Sequence, residues 1–387
     1  MIGTLPTELV EAIVDNIDSP LDVISLGLAC KQFAEILAPK LDYFFISAPF
    51  THYDIWNHLA EHPEDARHVR ILHVVQKERL PRAFSQVSAK VHESSVDLVG
   101  EKFCKALGWM SDLRSVKWGN HESTPQFVGD GVWDVVKKSC PRLTELFVNE
   151  LQTPVQMDLQ LDIWRSCLHS EMLDLGNMTK FSMATDLGST YLDTSALKDF
   201  LLRCPDLVTL ELSFHHPRST LVSLDEIFQQ CHWPQLKVLS LGGVTCSDGS
   251  FATFISRHPT IHTIHETVHR TAFPWNVLEA GWLPGLREFM GPLEVLTSIA
   301  EAGSPLEVLL SAHVAPLKYE DPLGPALQRL SPTLRRIQLG ATHSFCKGQS
   351  FEPVIRLVQE WAPDVRIELL RGDRLSFWVP TKGFVME

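Results

Sequence analysis

The stretch "CPDLVTLEL", residues 204–212, decides the fold because it is not alone. "CPRLTELFV" (140–148) and "WPQLKVLSL" (233–241) share its proline followed by L-x-x-L-x-L. The register continues in "HPTIHTIHE" (258–266), "LPGLREFMG" (283–291), "SPLEVLLS" (304–311) and "SPTLRRIQL" (331–339), with a slipped copy in "APDVRIELL" (362–370). Versions lacking the proline stand at "HVRILHV" (68–74), "DLRSVKW" (112–118) and "EMLDLGN" (171–177). Successive anchors lie about 20–35 residues apart, with one longer early gap. Helix-like segments precede most late copies: "SALKDFLLRC", "LDEIFQQC", "FATFISRH", "LEVLTSIAEAG" and "FEPVIRLVQEW". A helix, a short turn and a strand, reiterated, is the mark of a right-handed solenoid, in which each unit buries its apolar face only on its neighbours.

The pattern resembles a degenerate leucine-rich repeat. Unit lengths vary, and His215, Val244 and Thr342 stand where that family carries an asparagine, so uneven curvature is expected. A packed α/β domain without solenoid geometry is the alternative. Side chains alternate across a strand, so every second residue faces away from the core. By this reading Glu145, Phe147, Glu211, His265, Glu288, Arg336 and Gln338 face outward and are the candidates for contact with a protein target.

Composition narrows the partners. Across 387 residues, 34 Lys and Arg oppose 47 Asp and Glu, a net charge of −13. An acidic chain without a basic block lacks the term that dominates phosphate-backbone binding, so neither nucleic acid nor an anionic membrane is an expected partner. Eight cysteines without a C-x-x-C read as buried thiols of a reducing compartment, not as a disulfide framework. No signal peptide and no apolar run of membrane-spanning length is apparent, and an intracellular location is expected.

Residues 4–39 read "TLPTELVEAIVDNIDSPLDVISLGLACKQFAEILAP". Pro6 suits a first helical turn, and Leu9, Ile13 and Ile17 follow at four-residue steps with Val10 and Val14 beside them. Ser19, Pro20 and Asp22 mark a second start, with Ile24 and Leu28 on its apolar surface. Phe33, Ile36 and Leu37 form a third short helix, which Pro39 is expected to stop. Three short helices make a poor core of their own, so some apolar side chains are left for a partner or for the following domain.

The same residues resemble an F-box, through "LPTEL", "SPLDVISLGLACKQF" and the closing "LAP". That resemblance implies docking on a Skp1-like adaptor and, through it, a cullin–RING ubiquitin ligase. Carried over by position, the docking residues are Leu5, Pro6, Leu9, Ile13, Leu21, Leu26, Cys30 and Lys31. The fold class expected is thus α/β (α+β): an N-terminal three-helix F-box followed by an irregular leucine-rich-repeat-like solenoid with parallel strands and outer helices. Its boundaries fall at 1–40 for the F-box, 41–67 for a linker or packing segment, 68–370 for the repeats and 371–387 for a C-terminal cap or tail. The function implied is substrate recognition for an SCF-type ligase, with an adaptor-bound scaffold that promotes no degradation as the alternative.

One motif points elsewhere. "HETVH", residues 265–269, matches the H-E-x-x-H of zinc hydrolases. In the repeat register it begins on a strand, whose rise of about 3.3 Å per residue would hold its two histidines more than about 10 Å apart. Both must lie about 2 Å from a shared zinc. The match is read as chance, and no catalytic residue, metal or cofactor is assigned. Cys231–His232 lacks any accompanying oxyanion site, and "RGD" (371–373) reads as a turn.

Overall fold

The computed structural model describes residues 6–17, 20–75, 96–119, 126–150, 171–186, 194–215, 221–266, 273–311, 320–340 and 352–370. The chain divides into two compact units, Met1–Asp186 and Leu187–Glu387.

The first unit begins with α1 (Thr7–Asp15), α2 (Pro20–Ala29) and α3 (Lys31–Phe44). Pro6 stands at the N-cap of α1, and its carbonyl accepts the Leu9 and Val10 N–H groups. Val10, Val14, Val23, Phe33, Leu37 and Phe44 form one buried cluster, with Ile17, Leu26, Cys30, Ile36, Leu41 and Ile71 packed on its rim. The three helices therefore share a core and extend it onto the strands that follow. Pro39 does not end α3, contrary to the sequence expectation, so the helix crosses residue 40 and runs straight into the first strand. A proline forfeits one helical hydrogen bond, and here Leu37 and Phe44 bury turns on both sides of it.

Strands β1 (Phe45–Pro49), β2 (Ile71–Val75), β3 (Ser115–Trp118), β4 (Glu145–Glu150) and β5 (Lys180–Asp186) pair in chain order, every pair parallel. Between them lie α4 (Tyr53–Glu61), α5 (Pro63–Ala66), α6 (Val96–Trp109), α7 (Gln126–Ser139) and a 3-10 turn at Glu171–Asp174. Leu72, Val116, Leu146 and Phe181 stand in one register row and are all buried. Behind the sheet Phe103 meets Phe50, Trp56 and Trp118 edge-on, and the Trp56 indole donates to the Phe50 carbonyl at 2.7 Å.

Two further elements differ from the sequence reading. "EMLDLGN" is not a strand copy; its first residues form the 3-10 turn, and the strand comes later at Lys180–Asp186. Met178, Phe181 and Met183 fill the buried positions that leucines fill elsewhere, which hid the repeat. The segment read as a linker supplies β1, with Ile46 and Ala48 in the places that Leu72 and Val74 hold on β2.

The second unit runs α8 (Ser195–Leu202), β6 (Thr209–His215), β7 (Val222–Ser223), α9 (Asp225–Gln230), β8 (Val238–Gly242), β9 (Val244–Thr245), α10 (Asp248–Arg257) and β10 (Thr263–Glu266). It continues through β11 (Glu288–Met290), α11 (Leu296–Glu301), β12 (Val308–Ser311), α12 (Glu320–Leu330), β13 (Arg336–Gly340), α13 (Glu352–Trp361) and β14 (Arg366–Leu370). Strands β6, β8 and β10 to β14 pair in that order, all parallel, while β7 and β9 form a separate two-stranded sheet. Leu210, Leu239, Ile264, Phe289, Leu309 and Ile337 make its buried register row.

One contact recurs through both units. Just before most of these strands a single carbonyl accepts two N–H groups from the next repeat: Arg70 O from Arg114 and Ser115, Arg114 O from Thr144 and Glu145, His262 O from Arg287 and Glu288, Arg287 O from Glu307 and Val308. These bonds satisfy the turn backbone as it enters the sheet, where an orphaned group would be costly, and they pin each repeat to its predecessor. Within each unit the arrangement is leucine-rich-repeat-like, mixed α/β with parallel strands. Among the described residues no helix is long and apolar enough to cross a membrane.

Candidate docking surfaces

Helices α1 and α2 each have two dissimilar sides. On α1 the inner side carries Val10 and Val14, both buried, while Leu9 and Ile13, four residues apart and so on one face, are exposed. On α2 Val23 is buried and Leu26 lies against the core cluster. Leu21, Ile24 and Leu28, at i, i+3 and i+7, form an exposed stripe in which Leu21 keeps 68% of its surface and Leu28 82%. Single exposed leucines are ordinary, but five large aliphatic side chains left exposed on two successive short helices are apolar surface of the kind that marks an interaction site.

Arg70 holds this element in place. It is buried, its Nη1 donates to the Val14 and Ile17 carbonyls at 2.9 and 2.8 Å, and its guanidinium lies 5.0 Å from the centre of the Phe44 ring. The cation thus satisfies carbonyls at the end of α1, where the helix dipole favours positive charge. Sequence reading could not find this contact, which spans more than fifty residues and rests on an arginine inside a strand-like run.

The eight docking positions inferred from the F-box resemblance divide unevenly. Pro6, Leu9, Ile13, Leu21 and Lys31 are exposed, the last facing Glu35 across 3.6 Å. Leu26 and Cys30 are partly buried against the cluster, so they brace the surface from below. Leu5 lies outside the described residues. Ile24 and Leu28 were not among the eight, although their spacing from Leu21 places them on its face.

The outward strand positions all fall on strands, with the expected alternation. Glu145 and Phe147 lie on β4; Glu211, His265 and Gln338 share one register row of the second unit, and Glu288 and Arg336 share the row beside it. Two of them offer little surface, which corrects their reading as contact residues: Phe147 is 4% exposed, beneath the Lys117 ammonium at 5.0 Å, and His265 is 5% exposed. Several others pair with neighbours. Lys180 Nζ meets Glu145 at 2.6 Å, His265 Nε2 meets Glu288 at 2.9 Å, and Gln338 Nε2 donates to Glu368 at 2.6 Å. These are ladders of opposite or complementary groups across adjacent strands.

HETVH begins on a strand, with His265 and Glu266 both on β10. Glu266 occupies an inward position beside Leu241, is buried, and accepts the Trp275 indole N–H at 3.0 Å. It serves as a polar anchor in the core of an irregular repeat. His269 lies outside the described residues, as does the RGD tripeptide. Cys231 is buried and its thiol is pushed up to about 12 by loss of solvent, so thiolate chemistry with the exposed His232 has no support.

No family model matches the chain, and no curated protein is similar to it. Among solved structures, it is similar to a chain described as "Crystal structure of Rad7 and Elc1 complex in yeast", at a TM-score of 0.35 and 13% identity over 94% of each chain. A likeness of that size adds nothing to what the strand ladders already establish.

Proposed function

We propose that the chain is the substrate-recognition subunit of an SCF-type ubiquitin ligase. Its N-terminal helices dock on a Skp1-like adaptor, which connects it to a cullin–RING ligase, and its repeats hold a protein target. The observation that carries this reading is the exposed pair Leu9 and Ile13 on α1 and the exposed stripe Leu21, Ile24 and Leu28 on α2, each over a packed underside. Apolar anchors on short helices entering a partner's grooves are a common recognition mode. Each such side chain contributes roughly 2 kcal/mol gross when buried, and association costs offset much of that, so a few anchors dominate affinity.

In this role the chain performs no bond chemistry. It raises the local concentration of target lysines at the ligase, an effective-molarity effect. The outward positions that keep part of their surface, Glu145, Glu211, Glu288, Arg336 and Gln338, are the first places to seek target contact.

The test is a pull-down of the full chain with purified Skp1, comparing the wild type with a Leu9→Asp, Ile13→Asp double variant whose fold is checked by circular dichroism. Capture of the wild type alone supports the reading. Capture of neither, or of both equally, removes it. If the adaptor binds but no target turns over in cells, the scaffold reading takes its place.

A further inference from the structure

The end of α4 and the whole of α5 read "HLAEHPEDA", residues 58–66. His58 lies in the last turn of α4, and His62 caps its C-terminus, where its N–H donates to the His58 carbonyl at 2.9 Å. Their imidazole rings lie 4.4 Å apart, centre to centre. Pro63 starts the next helix at once, and that turn brings two carboxylates to the same place. Glu64 Oε1 lies 3.2 Å from His62 Nδ1, and Asp65 Oδ2 lies 3.4 Å from His58 Nε2. One donor atom each from His62, Glu64 and Asp65 fall within 4.8 Å of one another.

These lengths carry chemical meaning. Donors held tetrahedrally at about 2.0–2.1 Å from a zinc ion are separated by about 3.3–3.4 Å. One edge of the three-donor set, His62–Glu64, already has nearly that length. The His58–Asp65 pair has it too, but His58 stands beside the set and joins it only by side-chain rotation.

We propose that His62, Glu64 and Asp65, with His58 turned in as the fourth ligand, form a site for a divalent transition-metal ion of the zinc class. Two imidazoles select against calcium and magnesium, which prefer all-oxygen shells, and two carboxylates balance the charge of a dication. The Tyr43 hydroxyl stands 3.0 Å from His58 Nε2 and also reaches the Asp65 carboxylate, so it can brace Asp65 from outside once the imidazole nitrogen is engaged. The role is structural. The ion would tie α4 and α5 together and, through Tyr43, to α3, whose Phe33, Leu37 and Phe44 form the floor beneath the docking helices.

The proposal is independent of adaptor binding and is tested on the tag-free full chain after chelator treatment. Calorimetric titration with Zn(II), and absorption spectroscopy with Co(II), should show one equivalent bound in a tetrahedral field. His62→Gln and Asp65→Asn should each weaken that equivalent tenfold or more, while His262→Gln, at an exposed histidine outside the cluster, should leave it unchanged. Zn(II) should raise the thermal midpoint of the wild type but not of His62→Gln. If a core variant fails to fold, Glu64→Gln, at an exposed side chain, gives the same readout. Absence of that equivalent, or equal affinity in the cluster variants and His262→Gln, overturns the site.

Discussion

Gly243 shows how one residue can be fixed by the backbone around it. It follows β8 with φ of +67°, and a Cβ built there would lie 1.8 Å from the Phe214 carbonyl oxygen at the adjacent strand. A side chain would have to displace main chain and would also adopt a left-handed conformation. Gly243→Ala is expected to cost about 2–4 kcal/mol, read as a lower urea midpoint at unchanged slope. His258 makes a second residue-scale case. It is fully buried, its Nδ1–H donates to the Phe254 carbonyl at 2.6 Å, and its Nε2 accepts the Trp233 N–H at 2.9 Å. Both ring nitrogens are thus committed to the neutral form, and burial holds the imidazole down at about 4. The unfolded chain takes up a proton below about 6.5 and the folded chain does not until about 4, so this contribution is complete above the first value and is lost as pH falls through that window. Unfolding at pH 7 and pH 5 should differ by about 1–2 kcal/mol from this group, and His258→Leu should flatten the dependence while lowering stability at pH 7.

At the scale of elements, the attachment of α1 rests on Arg70 as much as on its apolar face. Removing the guanidinium takes a donor from the buried Val14 carbonyl, which keeps the Ile17 N–H, and from the part-buried Ile17 carbonyl, an effect of about 1–3 kcal/mol. Arg70→Met keeps most of the volume and should speed amide exchange through Val10–Ile17 far more than in the β3 and β4 backbone; equal acceleration everywhere would mean that Arg70 supports the whole unit instead. A comparable tie joins the starts of α9 and α10. Burial raises the Asp225 carboxyl, but hydrogen bonds from the Ser247 N–H and hydroxyl, both 2.7 Å, with Ser250 and Ser223, outweigh it and hold the group at about 2. Most elements were legible in the sequence wherever proline and leucine kept their places, as in β6, β8, β12 and β13. The misreadings have physical causes. At β5 and β1, methionine, phenylalanine and alanine pack in leucine positions, and pattern counting has no access to the volume a pocket requires. At Pro39, tertiary burial outweighed a local helix-breaking signal.

Across the whole molecule, the sequence marked the N-terminal helices for docking but could not separate anchors from braces. Leu26 and Cys30 fit the family pattern as well as Leu9 does, and only the packing of α2 on α3 shows that they face inward. Burial likewise withdrew Phe147 and His265 from the outward surface, because cross-strand neighbours close over them in a way no single strand can announce. The structure thus separates positions that serve folding from positions left available for binding. Leu28 is the sharpest instance, since with 82% of its surface exposed it contributes little to the fold. Leu28→Asp should therefore leave the thermal midpoint within a degree or two of the wild type, as surface substitutions usually do, while weakening Skp1 capture tenfold or more. Val23→Asp, one face round the same helix, should fail the other way: it places an unpaired charge in the cluster, so the N-terminal helices unfold and adaptor binding goes with them. Arg336→Glu with Gln338→Glu, in the second unit, should leave adaptor capture unchanged and alter only the set of proteins recovered from cells with the ligase. Loss of adaptor binding in this last variant would mean that the two units do not divide the work of docking and recognition.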